Sequence, residues 1–384
     1  MILINSENLN SRSYSKIRSE IYVNIVRSIY SKTNYEEVKH ELNKIQNKDY
    51  PVTILIKKIL FHNFKEDETY EDFNFRSYFQ AISFYNNAQK LYKKGNKKAR
   101  KSFIGDLIGF TQIESNKQIE KFICCIDKIS DYEFIDGRIK TQSSFEDFAE
   151  NEMFISLKKF NRVCKEVFDY ETFITPLRAS LIDSIGIKFC PYCNEQSMYS
   201  EKDGTRVLAD LDHYLPKSEF PLFESNFFNL IPSCPSCNRT LKGQSKRRIV
   251  NPLIEGFEDY AVFKMVDYPL KLANEHFDIT ILKKNTENHI IIEKIDNTIS
   301  LFKLKGRYNQ NHIKETARRI YLNTRLLTPN ALSHYSESLE IPTLTTKQLY
   351  KHLFEIDFEK INLSNEYLGK LKLDILIDLD VELP

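Results

Sequence analysis

Tryptophan is absent from this 384-residue chain, glycine numbers only 10 and proline only 12. So little glycine and proline excludes collagen-like and linker-rich architectures. Neither sign of charge prevails: 55 Lys+Arg stand against 53 Asp+Glu, for a net charge of +2. That balance lacks the global cationic excess of many nucleic-acid binders, so any basic surface must be local. No apolar run approaches the ~20 residues that span a bilayer. The opening Met1-Ile-Leu-Ile-Asn5 has neither a basic leader nor a long apolar stretch. This pattern predicts no signal peptide, no membrane association and a cytoplasmic location. Thiols stay reduced there, so the seven cysteines do not read as a disulfide framework.

What is present suffices for a folded protein. Hydrophobic residues make up 41% and aromatics 12%, which excludes global disorder. At ~100–200 residues per domain, the length predicts two or three domains. Residues 14 to about 180 read as helical. Ile17, Ile21, Ile25 and Ile29 recur at helical spacing, and 35–48 and 79–92 repeat the amphipathic habit. Lys93, Lys94, Lys97, Lys98, Arg100 and Lys101 place six cations in nine residues. They form either a solvated loop or a phosphate-contacting patch. The apolar stretch 103–110 reads as core.

The texture changes near Gly186. Residues 187–255 carry half of the prolines and four of the cysteines, and helical periodicity disappears. From 276 to 304 the pattern predicts β structure. Phe277, Ile279 and Ile281 alternate, Ile290–Ile292 and 299–304 are rich in β-branched residues, and Asp296-Asn-Thr reads as a turn. Helices are expected again over 308–325 and from Thr345 or Thr346 through Phe354. The tail 374–382 reads as an edge strand or a frayed end.

The strongest local signal is a pair of Cys-x-x-Cys knuckles, Cys190/Cys193 and Cys234/Cys237. Each supplies two thiolates from one tight turn, stiffened by Pro191 or Pro235, which suits a tetrahedral Zn²⁺. A redox dithiol usually comes as one pair, and buried core cysteines have no reason to fall in two such pairs. Cys124, Cys125 and Cys164 have no partner at ligand spacing. Forty residues separate the knuckles, more than a minimal zinc ribbon requires, so something is built between them.

That insert contains Asp210-Leu-Asp212-His213-Tyr-Leu-Pro216-Lys217 and then Phe228-Asn229-Leu-Ile. The second knuckle continues as Cys237-Asn238-Arg239-Thr-Leu-Lys242-Gly243. In this order the residues resemble the HNH endonuclease family, and more narrowly the zinc-knuckle HNH nucleases of bacterial defence systems such as Septu and some retrons. The resemblance covers 187 to about 255. Asn251-Pro-Leu-Ile-Glu-Gly and Gly306-Arg-Tyr-Asn-Gln-Asn-His312 look similar to segments C-terminal to the motif in some relatives. The first 180 residues carry no motif of this kind.

The residue chemistry agrees. A strand over 207–212, a returning strand over 227–231, and a helix from Pro235 to Gly243 make a β-β-α unit. Phosphodiester hydrolysis needs an activated water, a cation at the phosphate and positive charge for the transition state. His213 is the expected general base, since imidazole titrates near neutral pH. Asp212 offers a hard oxygen ligand, and Asn238 an amide oxygen where many HNH relatives carry His. This departure favours Mg²⁺ or Mn²⁺ over a softer ion. Asn229 matches the motif asparagine that tethers the loop orienting the histidine. Arg239, Lys242, Lys246, Arg247 and Arg248 place five cations in ten residues without an acid. Beside a phosphate site they read as nucleic-acid contacts rather than an exposed helix end. Asp210 shares a strand face with Asp212 and is either a supporting acid or solvated. Tyr192, Tyr214 and His312 read as structural.

The expected fold is α+β. A mainly helical protein holds an embedded, zinc-stabilised ββα-metal HNH core and a small C-terminal β/α segment. Residues 1–180 are the expected partner-docking or DNA-positioning domain, 186–256 the nuclease core, and 257–384 a β-hairpin with helices packed on that core. The resemblance implies cleavage of DNA with a 5′-phosphate product, a partner ATPase and an anti-phage role. The alternatives are a non-catalytic zinc module that binds nucleic acid or protein, and an RNA-directed nuclease.

Overall fold

A computed structural model describes residues 2–4, 6–46, 49–64, 152–198, 208–245, 247–268, 277–324, 345–359 and 361–384, with Tyr78 and Ile82 besides. The cationic run 93–101, the stretch 103–110, Cys124, Cys125, Val207, Lys246 and all of 79–92 except Ile82 lie outside the described residues.

The first helices follow the apolar spacing. Helix α1 (Arg12–Tyr30) buries Ile21, Ile25 and Ile29 on one face, and Ile17 is half-buried. Helix α2 (Tyr35–Asn43) and α3 (Val52–Leu60) follow, and then α4 (Glu152–Val167) and α5 (Arg178–Ile185). Gly186 ends α5 with φ 69°, a left-handed backbone that glycine takes without a Cβ penalty.

Strands β1 (Asp210–His213) and β2 (Leu230–Ser233) pair as a two-stranded sheet. Both begin later than the sequence predicts. For β2 the cause is Asn226, whose Oδ1 accepts from Phe228 N and Asn229 N and holds these residues in a turn. A π-helical segment, Ser236–Lys242, follows Pro235 and ends at Gly243 with φ 48°.

The C-terminal part corrects the sequence reading. Strand β3 (Ala261–Val266) pairs antiparallel with β4 (Asp278–Lys283), Ala261 opposite Lys283 and Val266 opposite Asp278. The expected strands at Ile290–Ile292 and 299–304 instead lie in helix α6 (His289–Leu301) and in the turn from it into short α7 (Leu304–Tyr308). Asn288 Oδ1 accepts from Ile290 N and Ile291 N and starts α6. Ile295, Thr298 and Ile299 then share its buried face, so packing overrides the β-branched propensity. Helix α7 leads to α8 (Asn311–Thr324). Helix α9 (Thr346–Phe354) starts at a reciprocal cap between Thr345 and Gln348, as expected. The tail is no strand: α10 (Gly369–Asp378) occupies its first half and buries Leu371, Ile375 and Leu376. Among the described residues the fold is thus helix-rich and α+β, with two small sheets. Among the described residues no helix is long and apolar enough to cross a membrane.

The chain forms two compact units. One comprises Met1–Ile17, Arg178–Tyr214 and Ile231–Pro384. Its terminal segment is tied in where Ile2 N and Ile4 N donate to Pro191 O and Pro252 O, each at 2.8 Å. Phe263 of β3 stacks on Tyr308 with ring centroids 4.2 Å apart, and its amide donates to Asp374 Oδ2 at 2.7 Å. The other unit comprises Arg18–Leu177 and Leu215–Leu230. Here Phe227 N donates to Leu60 O, Asn226 Nδ2 to Ile59 O and His62 O, and Ser225 Oγ to Phe168 O. The rings of Phe61 and Phe227 meet at 5.0 Å and those of Tyr78 and Phe160 at 5.6 Å.

Candidate functional site

The two knuckles converge. The sulfurs of Cys190, Cys193, Cys234 and Cys237 all lie within 4.8 Å of one another, and all four residues are buried. Local backbone geometry explains the convergence. Asn194 takes a left-handed φ of 53°, its amide donates to Cys190 O at 2.7 Å, and Cys190 N donates to Gln196 O at 2.9 Å. In the second knuckle Cys237 N donates to Cys234 Sγ at 3.4 Å and Asn238 N to Cys234 O at 3.0 Å. Burial pushes the Cys190 thiol well up, while hydrogen bonds from the neighbouring sulfurs hold Cys193 well below its ordinary value. A bound divalent ion ionises such thiols outright. Four soft ligands at this separation can hold a structural zinc ion.

Arg307 borders the cluster, with Nη1 3.3 Å from Cys237 Sγ. Burial opposes its charge, but Cys193, Cys237 and Glu195 outweigh that and raise its pKa.

A polar cluster lies between β1 and the π-helix of the same unit. Asp210 and Asp212 alternate with Leu211, so both point to one face of the strand. Asp210 is gripped by Arg239 in a two-pronged bond, Nη2 to Oδ1 at 2.6 Å and Nε to Oδ2 at 2.8 Å. Asn238 Nδ2 also donates to Asp210 Oδ2, at 3.1 Å. Asp212 receives Tyr192 OH on Oδ2 at 2.6 Å and Lys242 Nζ on Oδ1 at 2.9 Å. Burial raises the Asp212 carboxyl above its ordinary value, and Lys242 and Tyr192 oppose that rise. Lys242 Nζ further donates to His213 O at 2.6 Å. His213 closes β1 and is half-buried, and the next hydroxyl, Tyr214 OH, donates to Ile249 O at 2.7 Å.

In the other unit, Asn229 braces the loop Leu215–Leu230. Its Oδ1 accepts from Leu215 N at 2.6 Å, and its Nδ2 donates to Leu215 O at 3.2 Å and Phe223 O at 2.8 Å. Leu215 follows His213 by two residues in the sequence.

Asp212, Asn238, Arg239 and Lys242 therefore lie on two contiguous elements that end beside His213. Lys242 points inward to Asp212 and is buried, whereas the expected nucleic-acid contacts Arg247 and Arg248 are exposed. Tyr192, read from sequence as packing, binds Asp212. Its one sequence signal is its place inside the first knuckle. Asp210, left open, joins Asn238 to Arg239, and its i, i+2 spacing from Asp212 was the available signal. For Arg307 the one signal is its place in the segment Gly306–His312.

Among known proteins, the chain is similar to the Septu protein PtuB of Bacillus thuringiensis, 33% identical over 88 residues. The match covers 21% of this chain and 30% of that protein, so the chain spans under a third of the length of this curated relative. No protein-family model and no solved structure matches the chain.

Proposed function

We propose that the chain is a metal-dependent HNH endonuclease that hydrolyses phosphodiester bonds in DNA, with the four cysteines holding a structural zinc. The reading is carried by one observation. The strand that ends in His213 and the helical segment that holds Cys237 are joined through Asp210 to Asn238 and through the motif residues Asp212 and Lys242. In this reading β1, β2 and the helix form the ββα-metal core.

His213 accepts a proton from a water molecule as its oxygen bonds to phosphorus. The bond from phosphorus to the 3′ oxygen breaks, that oxygen takes a proton from solvent, and the 5′ side keeps the phosphate. Asn229 holds Leu215 and thereby the course of the chain after His213. Asp212 and Asn238 are the hard oxygen donors for Mg²⁺ or Mn²⁺, which when bound supplies charge stabilisation at the phosphate and leaving oxygen. Asp212 pairs with Lys242, so a divalent ion held there would have to take the place of that ammonium. Arg247 and Arg248, with Lys246, supply backbone contacts. The likeness to a Septu protein supports a role in anti-phage defence; in this reading the chain is the nuclease effector and acts with a partner ATPase in the cytoplasm. Residues 1–180 dock that partner or position DNA.

One observation favours a second reading, a zinc module that binds without cleaving: Asp212 is buried and its carboxylate is bonded by Tyr192 and Lys242. Incubating the purified protein with plasmid DNA and with RNA, with Mg²⁺, Mn²⁺ or EDTA, separates the readings. Metal-dependent cleavage of DNA is expected. Cleavage of RNA alone makes the enzyme RNA-directed, and retention of both substrates under every condition leaves the binding module.

A further inference from the structure

The segment Gly306-Arg-Tyr-Asn-Gln-Asn-His312 has no part in the proposed hydrolysis, yet it closes on the cysteine cluster. Lys303, with a left-handed φ of 54°, turns the chain from α6 into α7. Leu304 and Tyr308, one helical turn apart, are both fully buried. Tyr308 stacks on Phe263 and donates its hydroxyl to Cys193 O at 2.8 Å. Asn309 exchanges two hydrogen bonds with Ile279 of β4, giving through Nδ2 at 2.7 Å and accepting on Oδ1 at 2.9 Å.

These anchors place Arg307 against both knuckles. Its Nη1 lies 3.3 Å from Cys237 Sγ and its Nη2 3.2 Å from Ser236 Oγ, both in the second knuckle. Its Nε lies 3.2 Å from Glu195 Oε2, two residues past Cys193 of the first knuckle. His312 Nε2 stands 3.4 Å from the other oxygen of Glu195. Arg307 is 13% exposed and Glu195 9%.

Four thiolates around a divalent zinc carry a net charge of −2, in a place from which water is excluded. Burying net charge is costly unless an opposite charge meets it. A guanidinium stays protonated, donates in a fixed fork and is less strongly hydrated than an ammonium. We infer that Arg307 is a positioning residue of the zinc centre, donating to the Cys237 thiolate, offsetting part of the tetrathiolate charge and tying the two knuckles together through Ser236 and Glu195. The inference rests on the zinc reading above and assigns a purpose to a segment 70 residues beyond the second knuckle.

The test is zinc transfer from the full-length protein to a chromogenic chelator, followed beside circular dichroism. Outer partners of metal ligands typically change metal affinity by about 10–100-fold. Arg307→Gln, which removes the charge and the fork, is expected to release zinc faster by about that factor. Arg307→Lys keeps the charge and falls between. Glu195→Gln loosens the arginine's anchor and also speeds release. Leu304→Ala weakens α7 without touching a sulfur partner and keeps the wild-type rate well below its unfolding temperature. A folded Arg307→Gln protein with wild-type release overturns the inference, as does Leu304→Ala releasing as fast as Arg307→Gln. If Arg307→Gln does not fold, wild-type release in both Arg307→Lys and Glu195→Gln overturns it. Wild-type protein that carries no zinc overturns the zinc reading itself and this inference with it.

Discussion

Lys242 Nζ lies 2.9 Å from Asp212 Oδ1, with both side chains 2% exposed. Removing one member of a buried ion pair strands the other charge and typically costs about 3–5 kcal/mol. Lys242→Met is therefore expected to lower unfolding free energy by about that much. Adding Asp212→Asn removes the stranded charge, so the double variant is expected to regain part of the loss. Denaturant unfolding of the two single variants and the double variant measures the coupling. Additive losses mean that the pair does not act as a unit.

The cysteine cluster makes a second, separable demand. Structural zinc in small thiolate modules contributes about 10–16 kcal/mol of apparent binding free energy at neutral pH. Cys190→Ser or Cys237→Ser is expected to abolish bound zinc and to lower solubility, and chelation of the wild-type protein to do the same. Elemental analysis of natively purified protein gives the stoichiometry, expected at one zinc per chain. Cys164→Ser, at a buried position outside the cluster, is expected to retain the full complement.

His62 sets an acid limit for the unit built from Arg18–Leu177 and Leu215–Leu230. Burial between the rings of Phe64 and Phe223 lowers its pKa from 6.5 to about 4. Above pH 6.5 the imidazole is neutral in folded and unfolded chains alike. Between pH 6.5 and about 4 the unfolded chain binds a proton that the folded unit refuses, so stability falls as pH falls. The full loss is about 3 kcal/mol, reached near pH 4 and constant below it. His62→Phe keeps an aromatic ring in place and is expected to flatten this part of the profile. An unchanged decline between pH 6.5 and 4 in that variant assigns the acid sensitivity to other groups.

How much of this was legible in the sequence depends on the range of each interaction. The knuckles were readable because two thiolates from one turn are a local device, and so was the cap at Thr345, whose partner is Gln348. Ile290–Ile292 misled because β-branched residues favour strands, while the decision lay with Asn288 and with the buried face of Ile295 and Ile299. The partner of β4 stayed hidden because β3 mixes Ala261 and Met265 with Lys264, a weak strand signal whose alternation appears only with burial. At the site, the types and order of Asp212, His213, Asn229 and Asn238 were visible. Their engagements were not. Tyr192 meets Asp212 across 20 positions and Lys242 meets it across 30. A lysine near a glycine also reads as exposed, and only the tertiary fold turns Lys242 inward.

The decisive expectation concerns His213. In the proposed mechanism it is the general base, acting on the transition state and contributing to neither knuckle, so His213→Ala is expected to cut DNA hydrolysis by ~10²–10⁴-fold. Zinc content, unfolding temperature and DNA binding should stay near wild type, since a base that works only at the chemical step leaves ground-state binding intact. In the same mechanism Asn238→Ala is expected to weaken binding of the proposed cation instead, so that raised Mg²⁺ or Mn²⁺ restores part of its activity. Asp212→Ala shares that response but also strands Lys242, and so loses stability where Asn238→Ala does not. Asn229→Ala frees Leu215 and Phe223 from their bonds to the amide and falls between, because the histidine remains but its chain is no longer held. Cleavage rate against metal concentration, read beside thermal unfolding, resolves the four patterns. A binding module leaves no rate to lose, and a structural histidine lowers stability along with rate. Purified His213→Ala protein that cleaves as fast as wild type would sink the general-base assignment, whatever the other three variants do.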